Sequence, residues 1–135
     1  MSFPNYADPP FRMPAELVID LPMPPTTNNL FATDRSSRRR FRTAEYLAWV
    51  KEAGYRLNAQ LPPVRGFSMA GKVALLIEVA EPKTARRQDV CNREKAVTDL
   101  LVSHRVLQGD DQRFVREITM RWADVAGVRV TVKPI

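Results

Sequence analysis

Residues 72–79 read Lys-Val-Ala-Leu-Leu-Ile-Glu-Val, which places Val73, Leu75, Ile77 and Val79 on every second position. Successive side chains of an extended strand point to opposite faces, so this stretch gives one whole face to apolar groups. An α-helix would scatter the same four residues around its axis. The chain must therefore lay at least one strand against a core, with that face inward. Two later stretches repeat the pattern: Ile118, Met120 and Trp122 within 115–123, and Val128, Val130 and Val132 after a turn at Gly127. Their closeness in sequence predicts a hairpin between them. A shorter strand, Leu17-Val18-Ile19-Asp20-Leu21, is closed by Pro22 and by Pro24-Pro25, which cannot donate to a ladder.

Between these runs the period changes. Thr43 is placed to cap a helix with Glu45 in its first turn, and Tyr46, Leu47, Val50, Gly54 and Leu57 follow at helical spacing toward Gln60. A second helix is expected from about Cys91 to His104, with Asp89 at its start and Val97, Leu100 and Leu101 facing inward. His104, the lone histidine, ends that apolar run and is expected to pack there without a catalytic part. The order strand, helix, strand, helix, strand, strand predicts an α+β fold. It consists of a small mixed, partly antiparallel sheet with helices packed on one face.

At 135 residues there is material for one domain, and 44% apolar with 27% charged residues fits a globular chain. Seven of the 11 prolines fall within the first 25 residues, so residues 1–15 read as an irregular arm before a domain at 16–135. No apolar run approaches the roughly 20 residues of a membrane span, and no secretory leader pattern opens the chain. A single cysteine cannot form an internal disulfide, which points to the reducing cytoplasm.

The charge balance carries more. Lys and Arg number 21 against 15 acids, a net charge of +6, and such an excess favours phosphate-rich partners. Arg35, Arg38, Arg39, Arg40 and Arg42 crowd into a polar loop spanning 26–42, with Lys83, Arg86 and Arg87 forming a second basic group. Phe31 and Phe41 bracket the arginine run, placed either to anchor the loop or to stack on an opened base.

A third feature is acidic. Asp89 opens the second helix, Lys95 lies within it, and Gly109-Asp110-Asp111-Gln112 follows it. Hydrolysis of a phosphodiester needs an activated water and neutralisation of charge on the phosphate. A divalent cation held by one or two carboxylates does both, and a lysine adds a mobile positive charge. Each residue also has an ordinary structural role, as cap, turn or solvated helix lysine, and only the combination is specific. Asn92, Lys95 and Asp99 share a helix face.

Taken in order, Leu21-Pro22-Met23-Pro24-Pro25-Thr26-Thr27-Asn28, Asp89-Val90-Cys91-Asn92-Arg93-Glu94-Lys95, Asp99 and Gly109-Asp110-Asp111-Gln112 resemble the RusA family of Holliday-junction resolvases. The resemblance spans about residues 17–133. It implies a Mg²⁺-dependent homodimer, with Mn²⁺ as a possible substitute, that cuts four-way DNA junctions. Carried over by position, Asp89, Asp110 and Asp111 would hold metal, and Asp89, Lys95 and Asp111 would serve catalysis. Asn92 and Asp99 would support them, while the two basic groups contact branched DNA. Cys91 departs from the pattern, standing where the family has a second aspartate. A thiolate there prefers softer ions and a neutral thiol binds Mg²⁺ poorly, so a weakened Mg²⁺ site is expected. Two other functions fit the same residues: a junction-binding module of this fold that cuts little, and a basic RNA-binding domain.

Overall fold

The computed structural model describes residues 14–84 and 87–135. All but the last two residues of the expected arm, and Arg86, lie outside them. Eight main elements follow one another: β1 (Leu17–Leu21), β2 (Phe31–Thr33), β3 (Arg40–Arg42), α1 (Ala44–Gln60), β4 (Val73–Ala80), α2 (Glu94–Ser103), β5 (Val115–Ala123) and β6 (Val128–Pro134). Short 3-10 turns cover Thr27–Asn29 and Val90–Arg93. The α+β class, with a mixed sheet and helices on one face, is as the alternating and helical periods require.

The main sheet has the order β1-β6-β4-β5. β6 runs antiparallel to both β1 and β4, while β4 and β5 are parallel. The expected hairpin between the last two strands is not formed, because β4 lies between β5 and β6. Residues 124–127 step over the end of β4, and the Ala80 N–H donates to the Gly127 carbonyl at 2.9 Å. Two strand spacings are roughly 9.5 Å, within reach of a four-residue link. Gly127 has φ +78°, and a Cβ there would meet the Leu21 carbonyl oxygen at 2.4 Å. The step therefore depends on a missing side chain.

Ile19, Leu21, Val73, Leu75, Ile77, Val79, Val128, Val130 and Val132 form the inner face of the sheet, almost wholly buried. Removal of that apolar surface from water is the main stabilising force. Against it α1 packs Trp49, Ala53 and Leu57, and α2 packs Val97, Leu100 and Leu101. Thr43 caps α1 by accepting the Tyr46 N–H at 3.2 Å. Leu47, expected to face the core, lies on the outer face of α1 and is exposed. The inward stripe runs through Tyr46, Trp49, Ala53 and Leu57, one residue out of phase with it. His104 lies beside Gly54, where an added Cβ would come 3.0 Å from its Nε2. That fits its expected packing role.

The opposite sheet face carries charge. Asp20 on β1 pairs with Arg129 on β6 at 2.9 Å, and Glu78 on β4 pairs with Arg121 on β5 at 2.9 Å. Arg129 and Glu78 also lie in register, so opposite charges alternate across all four strands.

Candidate active site and nucleic-acid interface

The proline-rich segment after β1 sets one wall of the site. Pro24 and Pro25 are buried, which fixes the path of the chain into the 3-10 turn Thr27–Asn29. That turn leans on the other turn, Val90–Arg93. The Thr27 hydroxyl donates to the Asn92 carbonyl at 3.1 Å, while Arg93 donates from Nη1 to the Pro24 carbonyl and from Nη2 to Gln88 Oε1 at 3.1 Å. Arg93 is thus a latch between segments 69 residues apart in sequence. Its partial burial presses its pKa down, and the charge of Glu45 acts in the opposite direction.

Between the two walls lies a polar cavity of about 490 Å³. Thr26, Asn28, Asn29 and Glu45 line it from the first wall and helix α1, and Arg87, Gln88, Asp89, Asn92 and Arg93 from the second. Asp89 caps its turn, accepting the Cys91 N–H at Oδ1 at 3.0 Å. Carboxylates, amides and guanidinium groups around one cavity can take a phosphate and its counter-charge together. Cys91 is exposed and is not among the lining residues.

Lys95 lies in the first turn of α2. Its Nζ contacts Asp99 Oδ1 at 3.1 Å, and this hydrogen bond raises its pKa against a smaller opposing effect of burial. The charges of Asp99 and Asp110 also act on it, so the acidic turn and the helix share one electrostatic neighbourhood. The ring of Tyr46 is buried beside this group, and burial and Asp99 raise its pKa.

Asp111 is otherwise engaged. Its Oδ1 accepts the Arg113 N–H and Nε–H at 2.9 and 3.0 Å, and its Oδ2 accepts Nη2–H at 2.8 Å. These bonds hold its pKa at about 2. Gly109 lies under the Phe114 ring, 2.9 Å from where its Cβ would be. Among the described residues no group of three or more His, Cys, Asp and Glu side chains is placed to hold a metal ion. Asp89, Asp110, Asp111 and Cys91 therefore do not form a ready-made ligand set in this conformation.

The expected polar loop at 26–42 contains a hairpin of β2 and β3 with Phe31 opposite Arg42. Asp34 holds its turn by accepting hydrogen bonds from Ser36 and Ser37, the latter at 2.8 Å, and these lower its pKa. Two arginines are partly committed to aromatic rings. The Arg40 guanidinium lies 4.0 Å from the Phe31 centroid and that of Arg42 lies 5.3 Å from Tyr46. Arg35, Arg38 and Arg39 project from the turn and are exposed. The two phenylalanines also separate: Phe31 packs edge-on to Tyr46 at 5.8 Å, whereas Phe41 is half-exposed. Lys83 is exposed on the loop after β4, and Arg87 lines the cavity.

Sequence patterns alone did not single out Glu45, Asn29, Arg93 or Arg113 for the site. Only Arg113 had a local signal, standing two residues beyond Asp111. The others are joined to the site by contacts between distant segments.

A proline-rich wall latched to an Asp-x-x-Asn turn, with an acidic turn whose field reaches the helix lysine, is matched by one family profile. It covers residues 22–133 and describes the endodeoxyribonuclease RusA. The chain belongs to the RusA family. The match takes in both walls of the cavity, the arginine hairpin, Lys95 and the acidic turn. A search of curated proteins returns no match. RusA membership assigns the chain the general character of a nuclease that acts on Holliday junctions. No helix among the described residues is long and apolar enough to cross a membrane.

Proposed function

We propose that this RusA protein is a divalent-metal-dependent, structure-selective endonuclease that resolves four-way DNA junctions in recombination and repair. It would work in the cytoplasm as a homodimer. The observation that carries the reading is the latched polar cavity around Asp89, flanked by a hairpin that presents three exposed arginines. Arg35, Arg38 and Arg39 neutralise backbone phosphates, with Arg40, Arg42, Lys83 and Arg87 extending the basic surface. Phosphate contacts position a duplex without reading its sequence, which suits recognition of a branch by shape.

Asp89, Asp110 and Asp111 are the acids proposed to attract Mg²⁺ or Mn²⁺, with Asn92 supporting the Asp89 turn. The cation, when bound, supplies an activated water and offsets phosphate charge. The chain's own part is clearer. Lys95 is cationic at neutral pH and, on exchanging Asp99 for a phosphate oxygen, neutralises charge on the leaving group. Asp99 holds it in place until then.

The engagement of Asp111 by Arg113, together with sulfur at position 91, favours a second reading in which the protein binds junctions and cuts them slowly. One assay separates the two. The protein is incubated with a synthetic four-way junction, a linear duplex and a structured RNA, with Mg²⁺, Mn²⁺ or chelator. Paired symmetric nicks confined to the junction and abolished by chelator support the nuclease reading. Tight junction binding without nicks supports the second reading, and preference for RNA overturns both.

A further inference from the structure

Tyr46 stands where three parts of the fold meet. Its N–H donates to Thr43 Oγ1 at 3.2 Å, and the Thr43 hydroxyl donates in turn to the Asn29 carbonyl at 2.7 Å. These bonds tie the start of α1 to the proline-rich wall. The Tyr46 ring packs edge-on to Phe31 of β2 at 5.8 Å and stacks on Trp49 at 6.5 Å. Trp49 is fixed in its turn, since its indole N–H donates to the Pro22 carbonyl at 2.9 Å. Only 2% of Tyr46 is exposed, so its ring serves as a rigid support.

Two cations from different elements reach that support. Arg42, at the end of β3, sets its guanidinium 5.3 Å from the Tyr46 centroid. From α2, Lys95 and Asp99 act through their charges on the same phenol, as Arg42 does. Their commitments differ. Lys95 Nζ lies 3.1 Å from Asp99 Oδ1, so that pair is neutral as a unit. Arg42 is exposed and has no ion pair among the described residues. Of the three groups, Arg42 supplies the net positive charge, and a cation–π contact holds it. Its place is also distinct within the hairpin. Arg42 pairs with Phe31 at the closed base, against α1, whereas Arg35, Arg38 and Arg39 project from the turn at the far end.

We infer that Arg42 is a catalytic cation, whose guanidinium takes two non-bridging oxygens of the scissile phosphate beside Lys95, and that Tyr46 is the positioning residue that aims it. The inference rests on the nuclease reading above and deepens it. Hydrolysis joins a water oxygen to phosphorus and breaks the bond to one sugar oxygen. One proton of the water ends on that sugar oxygen, and the other is released to solvent. Negative charge grows on the phosphoryl oxygens and on the leaving oxygen as this happens. A planar guanidinium meets two phosphoryl oxygens at once, and an ammonium, a point charge, meets the leaving oxygen. Arg42 turns onto a phosphate without breaking an ion pair, whereas Lys95 must first exchange Asp99. What Arg42 leaves behind is a neutral ring, so no carboxylate is stripped of its partner. The entering phosphate is thus met first by the unpaired cation and then by the paired one.

Two measurements on the full chain test this. Single-turnover cleavage of a synthetic four-way junction, with Mg²⁺ and saturating protein, separates rate from affinity. Arg42→Gln should lower that rate by about a hundredfold or more, as loss of a donor to developing charge does. Its junction affinity in chelator should fall by less than about tenfold, the share of one phosphate contact. Arg42→Lys keeps the charge without the fork and should recover only part of the rate. Tyr46→Phe keeps the ring and should lose far less than Tyr46→Leu. Melting curves report whether each variant is folded. The second readout needs no cleavage: the Arg42 Nε–H NMR signal of the wild-type chain should shift when the junction is added in chelator. A saturated rate unchanged in Arg42→Gln, or an Arg42 signal that stays put while the junction binds, would overturn the inference. A protein that nicks junctions with either result keeps the nuclease reading. One that binds junctions and moves the Arg42 signal but never nicks loses the nuclease reading and keeps Arg42 as a phosphate ligand.

Discussion

The arginine hairpin gives the most quantitative expectation. Arg35, Arg38 and Arg39 are exposed at its turn, whereas Arg40 and Arg42 also stack on rings, so the first three can be removed with the least cost to the fold. Arg38 has φ +56°, and glycine is the replacement that fits that backbone. Each phosphate neutralised on duplex DNA contributes about 0.9 to the slope of log K against log salt. The variant Arg35→Ala, Arg38→Gly, Arg39→Ala should therefore lose about 2.7 from that slope, if each arginine meets one phosphate. At about 0.15 M salt the same three contacts correspond to roughly a hundredfold in affinity, or about 3 kcal/mol. Fluorescence anisotropy of a labelled four-way junction, with chelator and between about 50 and 200 mM salt, measures both quantities. Arg56→Ala serves as control, since Arg56 pairs with Glu52 on the exposed face of α1. A slope changed by less than about one unit in the hairpin variant, with its melting curve intact, would remove the hairpin from the DNA interface.

Four further outcomes are expected. Gly127→Ala forces a Cβ against the Leu21 carbonyl at a left-handed position, and should cost about 2 kcal/mol or more in urea unfolding. Lys95→Met should depress junction cleavage far more than junction binding, because it removes a charge and leaves the helix; equal losses of both would make Lys95 a binding residue. Cys91→Asp should raise Mg²⁺-dependent cleavage and Mn²⁺ affinity together, and unchanged values would take position 91 out of the site. Arg113→Ala should return the Asp111 pKa from about 2 toward the ordinary 3.8, read by NMR titration. Since the folded value is the lowered one, its stabilising contribution is present above the ordinary pKa and is lost as pH falls through about 2; the variant should show no such loss.

Much of the framework was legible because periodicity reports faces. Val73, Leu75, Ile77 and Val79 declared an inward face, and Thr43 with Glu45 declared a helix start. Periodicity does not report neighbours, so the alternation of β5 and β6 carries no sign that β4 lies between them. The last two strands are separated by only four residues, yet those residues cross β4 because Gly127 allows the Leu21 carbonyl to pass close by. The β2–β3 hairpin was invisible for a different reason. Its strands are three residues long with no alternation, and it is held by the Asp34 turn and by arginines lying on rings. In the site, Asp89 could be placed because a cap acts over two residues. The Arg93 latch acts over 69, and nothing local to Arg93 distinguishes it from any helix-start arginine.

The cap that Asp89 forms and the catalytic role proposed for it do not compete. A carboxylate has two oxygens, and the Cys91 N–H engages Oδ1, orienting the side chain beside the cavity. That N–H belongs to the backbone, so the turn keeps its cap whichever side chain residue 91 carries. A thiol or a carboxylate at this position would therefore serve the cap equally, while only a carboxylate would add a hard oxygen to the neighbourhood of Asp89. Asp111 shows the converse, since both its oxygens are engaged by Arg113, which would compete with a cation for them. Sequence position and chemical readiness thus part at these two residues, and the Cys91→Asp and Arg113→Ala variants test the two departures separately.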